Sequence, residues 1–259
     1  MSITEDAPAA AARRSSVRLP GPARSASPWC WLVAASTLIV GGLAVVLLLW
    51  WAASRTTQPV RYAVRGTLSA VELDLDDASV QITGGGGSAV DVRRTEEFAF
   101  GRRPRITRSV RDGVLRIGSR CPDTVLSTCS ASFRIAVPDN VLVNARTSSG
   151  AVTISGLNGS ARVATDSGAV AIDGFCGFTL VVTSASGDVQ SAADCSPDRM
   201  ELRSGSGDVR AVVPAGRYRV DAHSDAGSER VRGLTEADDA SFTVQALSGS
   251  GDVTVENAP

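Results

Sequence analysis

The chain has 259 residues, 43% of them hydrophobic and 5% aromatic, with 26 basic and 27 acidic side chains and a formal net charge of -1. Every basic residue is arginine, and the near balance with acid excludes the strongly basic footprint of a nucleic-acid-binding protein. So few aromatic residues leave a body built on small and β-branched side chains, which disfavours a large-core enzyme.

Residues 1–28 are rich in Ala, Pro, Ser and Arg without apolar periodicity, and predict a disordered cytoplasmic tail. Its Arg13, Arg14, Arg18 and Arg24, diluted by Glu5 and Asp6, make a weak patch for anionic lipid. From Trp29 to Ala53 no residue is charged. A helix of that length rises about 37 Å, enough to cross a hydrocarbon layer of about 30 Å. Trp29 and Trp31 lie at one end and Trp50 and Trp51 at the other, where indole rings rest at headgroup depth.

The run exceeds the apolar core of a signal peptide, about 7–15 residues, although Ala52-Ala53-Ser54 resembles a cleavage sequence. Residues 29–53 are therefore expected to be an uncleaved single-pass span in contact with membrane lipid. Four arginines precede it and Arg55, Arg61 and Arg65 follow, a slight bias toward a cytoplasmic N-terminus. Residues 54–65 are expected to form a stalk, 66–256 one domain, and 257–259 a C-terminal tail.

Early in that domain, strand chemistry appears in AVELDLDDASVQI (70–82), SAVDV (88–92), GVLRI (113–117) and ASFRIAVP (131–138). Asp74 and Asp76 should share the outward face opposite Leu73 and Leu75, solvated together with Asp77. Gly84 to Gly87 predict a flexible turn, because no GK[ST] follows to make a phosphate cradle. The arginine-rich stretch 93–112 reads as a solvated loop or an edge strand.

Cys30 falls in the apolar segment, leaving Cys121, Cys129, Cys176 and Cys195 as an even set that fits two bridges outside the cytoplasm. The simplest pairing is Cys121 with Cys129 and Cys176 with Cys195, but three pairings remain open from sequence. No Cys-x-x-Cys knuckle and a single histidine disfavour a metal site, and no histidine partner marks a cysteine nucleophile.

The informative feature is a repeat. Similar turns recur as SSGAVTI, DSGAVAI, ASGDVQS, GSGDVRA, DAGSERV and GSGDVTV, with glycines at Gly150, Gly168, Gly187, Gly207, Gly227 and Gly251. Val152 and Ile154, Val170 and Ile172, Val189 and Ser191, Val209 and Ala211, and Val253 and Val255 follow these turns with period two. Period-two positions also precede them, for example Val143, Ala145 and Thr147, or Met200, Leu202 and Ser204. Alternation on both sides of a glycine turn predicts two short strands per repeat, each with one buried face.

Stacking each repeat on the next would make one continuous interior, with rungs about 4.8 Å apart. Thr147, Thr165, Ser184, Ser204, Ser224 and Ser248, each three residues before its glycine, would then form a hydroxyl ladder at the bend. The glycines would supply positive φ or room for close stacking. The fifth repeat departs from the pattern, with Glu229 where valine is usual. The fold expected is an all-β, single-domain, solenoid-like stack preceded by one transmembrane helix.

The SG[DA]V turns and their flanking strands make residues 66–256 resemble the bacterial putative-adhesin domains of unknown function. That resemblance implies an all-β solenoid-like fold and brings no catalytic set or cofactor. The turn aspartate appears at Asp188, Asp208 and Asp252 but is Ala151 and Ala169 earlier, so a uniform acidic row is not expected. These aspartates should cap turn amides or stay solvated; weak calcium association is the alternative, although the GGxGxD pattern of calcium-binding rolls is missing.

His223 neighbours Ser224 and Asp225, but adjacent strand residues point to different faces and build no relay. Asp173, Asp188, Asp208, Arg210 and Arg232 could line an outer face, as in carbohydrate-active solenoids, without an identifiable carboxylate pair. The expected function is a non-catalytic, cofactor-free binding or scaffold module, adhesin-like, anchored in the bacterial cell membrane with its domain extracytoplasmic. Envelope protein or glycan is the expected partner. Homotypic association through strand edges, with Asn257, Ala258 and Pro259 discouraging axial stacking, and a sensory ectodomain acting through a partner are the alternatives.

Overall fold

The computed structural model describes residues 28–85, 87–99, 102–122 and 129–258. Residues 1–27 of the expected tail, the Trp29 and Cys30 side chains and Pro259 lie outside the described residues, and Pro28 already belongs to the helix. Helix α1 (Pro28–Ser54) has 27 residues, and its described side chains from Trp31 to Trp51 are exposed. It is long and apolar enough to cross a membrane.

The domain is entirely strands and turns. In chain order these are β1 (Thr56–Arg65), β2 (Ala70–Thr83), β3 (Ala89–Phe98), β4 (Arg105–Arg111), β5 (Val114–Arg120), β6 (Cys129–Ala136), β7 (Leu142–Ser149), β8 (Val152–Ser155), β9 (Ala161–Ser167) and β10 (Val170–Phe175). There follow β11 (Thr179–Ser186), β12 (Val189–Ala193), β13 (Arg199–Ser204), β14 (Val209–Val213), β15 (Arg217–Ser224), β16 (Glu229–Arg232), β17 (Thr235–Glu236), β18 (Phe242–Ser248) and β19 (Val253–Asn257).

Each repeat contributes one strand before its glycine and one after it, and the two join different parallel ladders. One ladder runs β5-β2-β7-β9-β11-β13-β18-β15. The other runs β6-β2-β8-β10-β12-β14-β19-β16. Long β2 belongs to both, bending between Asp77 and Ala78. Inward positions alternate with outward ones, so Leu180, Val182, Met200, Leu202, Val244 and Ala246 from the first ladder meet Val152, Val170, Val189, Val209 and Val253 from the second. Because both faces of the interior come from short rungs, small residues such as Ala145, Ala161 and Ala211 fit where larger ones would force the ladders apart.

Two sequence expectations are corrected. First, rungs do not stack strictly in chain order. β18 and β19 insert between β13/β14 and β15/β16, so the Gly227 repeat forms the outermost rung and the chain's last strands lie one rung further in. The same happens at the other end, where β2 lies between β5/β6 and β7/β8. The physical reason is burial: β19 carries Val253 and Val255, both 0% exposed, whereas the aligned β16 is the polar Glu-Arg-Val-Arg and belongs at an open end. Second, residues 54–65 are not a stalk. β1 pairs with β3 over its whole length, Thr56 to Arg65, because Val60, Tyr62 and Val64 alternate toward the interior. The arginine-rich stretch likewise resolves into the end of β3 and edge strand β4, which makes a hairpin with β5 through Asp112 and Gly113 at positive φ.

Rung order is directly testable by pairs of engineered cysteines. Arg210→Cys with Thr254→Cys, and Thr254→Cys with Arg230→Cys, should each oxidise to a bridge in the folded chain; Arg210→Cys with Arg230→Cys should not. Stacking in chain order would reverse that pattern.

Candidate binding surface

The turn glycines form one column. A Cβ on Gly168 would fall 2.3 Å from the Gly150 carbonyl oxygen, one on Gly187 2.5 Å from that of Gly168, and one on Gly207 2.5 Å from that of Gly187. The column then passes to Gly251 and ends at Gly227, in the spatial order of the rungs, while Gly150 abuts the Ala78 carbonyl of β2. Contact with the neighbouring backbone is common to all six. Positive φ is confined to Gly150, Gly168 and Gly187, so the expected roles of room and of φ separate along the stack.

The hydroxyl ladder changes with it. Toward the C-terminal end each Ser satisfies two backbone groups: Ser248 Oγ donates to Gly207 O at 2.8 Å and accepts from Gly251 N, and Ser224 Oγ donates to Gly251 O at 2.7 Å and accepts from Gly227 N. Ser204 Oγ donates to Gly187 O. In the positive-φ turns the glycine N–H of Gly168 and Gly187 instead donates to the next rung, at Ser186 O and Ser206 O. The buried hydroxyls of Thr165 and Ser184 then find no protein partner among the described residues.

The turn aspartates are caps arranged in series. Asp188 Oδ1 accepts from Asp208 N at 2.9 Å, Asp208 Oδ1 from Asp252 N at 2.8 Å, and Asp252 Oδ1 from Ser228 N at 2.9 Å. Each carboxylate thereby bonds the next rung in space. The Ser228 backbone N–H, and after it Arg230, hold the Asp252 carboxyl below the usual carboxylate range. Among the described residues no group of three or more His, Cys, Asp or Glu converges as a metal site.

Other candidates are placed as follows. Asp74 and Asp76 face outward but are not simply solvated, because Arg120 bridges them at 2.7 and 2.9 Å. Asp77 accepts a hydrogen bond from the Ser149 hydroxyl. His223 lies between Asp225 (3.2 Å) and Glu229 (2.9 Å), while the Ser224 hydroxyl is engaged with the glycine column, so the three side chains form no relay. Arg210 is paired with Glu256, and Asp188 and Asp208 are occupied as caps, leaving Asp173 and Arg232 without a common focus in that set.

Both bridges follow the simplest pairing. Cys121 joins Cys129 with Cα atoms 5.8 Å apart, and Cys176 joins Cys195 with Cα atoms 4.7 Å apart. The second ties β10 to the segment beyond β12, across one rung.

Charge stands at inward registers near the ends of the stack: Glu229, which the sequence already marked, and Arg94 with Glu96, which sequence reading missed. Glu229 occupies the register of Val253, yet it turns to accept from Ser224 N at 2.8 Å, capping the open rung. At the other end, beyond β6, Arg94 pairs with buried Glu96 at 2.7 Å, and the Arg108 guanidinium lies 4.5 Å from the Tyr62 ring centroid. Burial pushes the Tyr62 phenol up, partly offset by the two arginines. Asn257 and Ala258, expected to discourage axial stacking, follow the second rung from the end, so that part falls to Glu229.

Two measurements test this geometry. By NMR titration Asp252 should deprotonate below the ordinary aspartate range. The stability it contributes is then fully present above the unfolded-state pKa and is lost as pH falls through the folded value, and Asp252→Asn should remove that part of the acid dependence. Separately, Cys176→Ser with Cys195→Ser should lower the unfolding free energy by about 3 kcal/mol in denaturant titration, as expected for opening a loop of about 20 residues.

Comparison with known proteins places the regular part of this stack. Residues 130–256 match the family model described as Toastrack DUF4097. No curated protein matches the chain. Among solved structures, the chain is similar to a putative cell adhesion protein from Clostridium sporogenes at 9% identity, with TM-score 0.41 and coverage of 78% of this chain and 100% of that one. It is similar to a putative adhesin from Bacteroides fragilis at 13% identity, TM-score 0.42, covering 78% of this chain and 97% of that one. A putative lipid binding protein from Parabacteroides distasonis matches at 10% identity, TM-score 0.27, with coverage of 78% and 97%. The resemblance in the SG[DA]V turns is thus borne out where the rungs are most regular, in the residues that match the Toastrack DUF4097 family model.

Proposed function

We propose that this protein is a membrane-anchored, extracytoplasmic, non-catalytic module that presents a rigid strand surface to material of the bacterial envelope. The observation that carries this reading is the combination of one apolar helix, α1, with two closed disulfides in the domain that follows it. Thiols are kept reduced in most cytosols, so a domain built with two bridges belongs on the oxidising side. An uncleaved α1 would then hold it at the membrane.

A binding role is supported by how the polar groups are used. The turn hydroxyls, turn aspartates and most of the pairable carboxylates are engaged in holding rungs together, while the outward strand positions hold side chains at regular spacing on a backbone locked on both sides. Homotypic axial stacking is the less favoured reading, because at the β15/β16 end Glu229 places a charge where another rung would need apolar contact.

Topology decides the matter. In cells producing the full chain, protease added outside the cytoplasmic membrane should digest the domain, and thiol labelling before reduction should find Cys121, Cys129, Cys176 and Cys195 protected. A domain shielded from external protease with its cysteines free for labelling overturns the reading.

A further inference from the structure

The outer face of the β1-β3-β6 edge contains a row that the fold does not require. Arg61 lies directly opposite Arg93 in the β1-β3 pairing, and Arg93 lies directly opposite Arg134 in the β3-β6 pairing. All three are exposed, on the face opposite Tyr62, Val92 and Phe133. Like charges directly across strands repel, so such a row destabilises the free sheet unless something compensates it. Elsewhere arginines on these sheets have found carboxylates: Arg116 with Glu72, Arg120 with Asp74 and Asp76, Arg210 with Glu256. Arg61, Arg93 and Arg134 have no ion pair among the described residues. Arg134 Nε instead donates to Gln81 Oε1 at 2.8 Å, which fixes its stem beside the row. The one carboxylate on the adjoining register of the same outer face, Asp91, sits opposite Ala63 and Ala136 and is likewise without an ion pair among the described residues.

Two shallow depressions accompany the row. One is lined by Arg61, Ala63, Asp91 and Arg93, the other by Ser79, Gln81, Ser132, Arg134 and Thr153. From Gln81 the same register continues through Thr153, Ala171 and Gln190, a neutral track of amide, hydroxyl and methyl groups crossing the strands. We infer that this face binds a linear polymer carrying phosphate-type oxyanions. The polymer lies across the strands, with successive anionic groups on the guanidinium forks of Arg61, Arg93 and Arg134. Strand spacing of about 4.8 Å places the forks at intervals that a chain of closely spaced anions can follow, and the planar fork suits bidentate contact with phosphate. A membrane surface is the less fitting occupant, because the exposed large apolar residues of the domain beyond α1, Val110, Leu142 and Phe178, all lie off this face. This deepens the proposed presentation role by naming a ligand class, and rests on that role only for where the polymer is met.

The test uses the purified full chain in nanodiscs of zwitterionic phosphatidylcholine, with linear inorganic polyphosphate as probe. Binding should weaken with salt, each of Arg61→Gln, Arg93→Gln and Arg134→Gln should lower affinity by about tenfold or more, and each should flatten the log K against log salt slope by about one. Arg162→Gln on the other ladder should change neither. Without ligand, Arg93→Gln should raise the melting temperature, since Arg93 has a like charge on both sides, which separates a binding role from a structural one. The triple Arg→Lys variant, which keeps the charge and the fold but loses the forks, should bind between wild type and the Gln variants. No binding by wild type, unchanged binding by the triple Arg→Gln variant, or arginine-dependent binding to phosphatidylglycerol vesicles without binding to polyphosphate would each overturn the inference. Because the assay is indifferent to which side of the membrane the domain occupies, its failure leaves the topology experiment untouched, and an inward-facing domain that binds polyphosphate removes the presentation role alone.

Discussion

Everything in this domain follows from how closely neighbouring turns approach. Where the chain passes from one ladder to the other, the turn backbone lies against the carbonyl of the turn beneath it, at distances a single Cβ would violate. That approach keeps the two ladders in register along the whole stack. Polar groups at the bend must then be satisfied within the column, because little water can enter. The serine hydroxyls and turn aspartates do this in the C-terminal rungs, each bonding the backbone of a neighbouring rung. In the turns at Gly168 and Gly187 the positive-φ glycine turns its own N–H toward the next rung instead. Two local solutions thus serve one spacing.

The order of the rungs has a consequence for stability. A solenoid stacked in chain order would leave its first and last strands as fraying ends, exposed on one side. Here β2 and the β18/β19 pair are each covered by a rung from an interior part of the chain, so both terminal segments of the repeat region are held on two sides. The outermost repeat, at β16, is accordingly polar. Glu229 fills an inward register with a charge that a further rung would have to desolvate, whereas at the opposite end Arg94 and Glu96 stand on β3 and are already covered by β1. Growth by addition of another copy is opposed by this charge at the Glu229 end.

The region before residue 130 departs from the regular rungs. The family match begins at residue 130, whereas β1, β3 and β4 lie before it and add antiparallel strands to the edges of the parallel stack. Within the regular rungs, charge is largely consumed by cross-rung pairing. On the added strands, outward arginines meet one another. A surface that repels itself when empty and lies outside the repeated pattern is where a ligand-specific function fits the physics of the fold, since rung-to-rung geometry places no demand on those side chains.

Much of this was legible in the residues. Period-two alternation around recurring glycines determined the strands, their buried faces and the parallel stacking, because a side chain's face in an extended chain depends only on parity. The charge-free run from Trp29 to Ala53 determined a long apolar helix, and the SG[DA]V turns carried the family resemblance. The uncertain standing of the Glu229 repeat was also visible, since a charge in a valine position contradicts burial. What sequence could not supply was neighbourhood. Parity says which way Arg61, Arg93 and Arg134 point but not that they are opposite one another, and β1 reads as a stalk until β3 is beside it. Likewise, the interval between glycines says that rungs stack without saying which one lies next. Those facts depend on long-range pairing, where strands of equal local merit compete and the burial of Val253 and Val255 over Glu229 decides, and that competition is settled only in the tertiary structure.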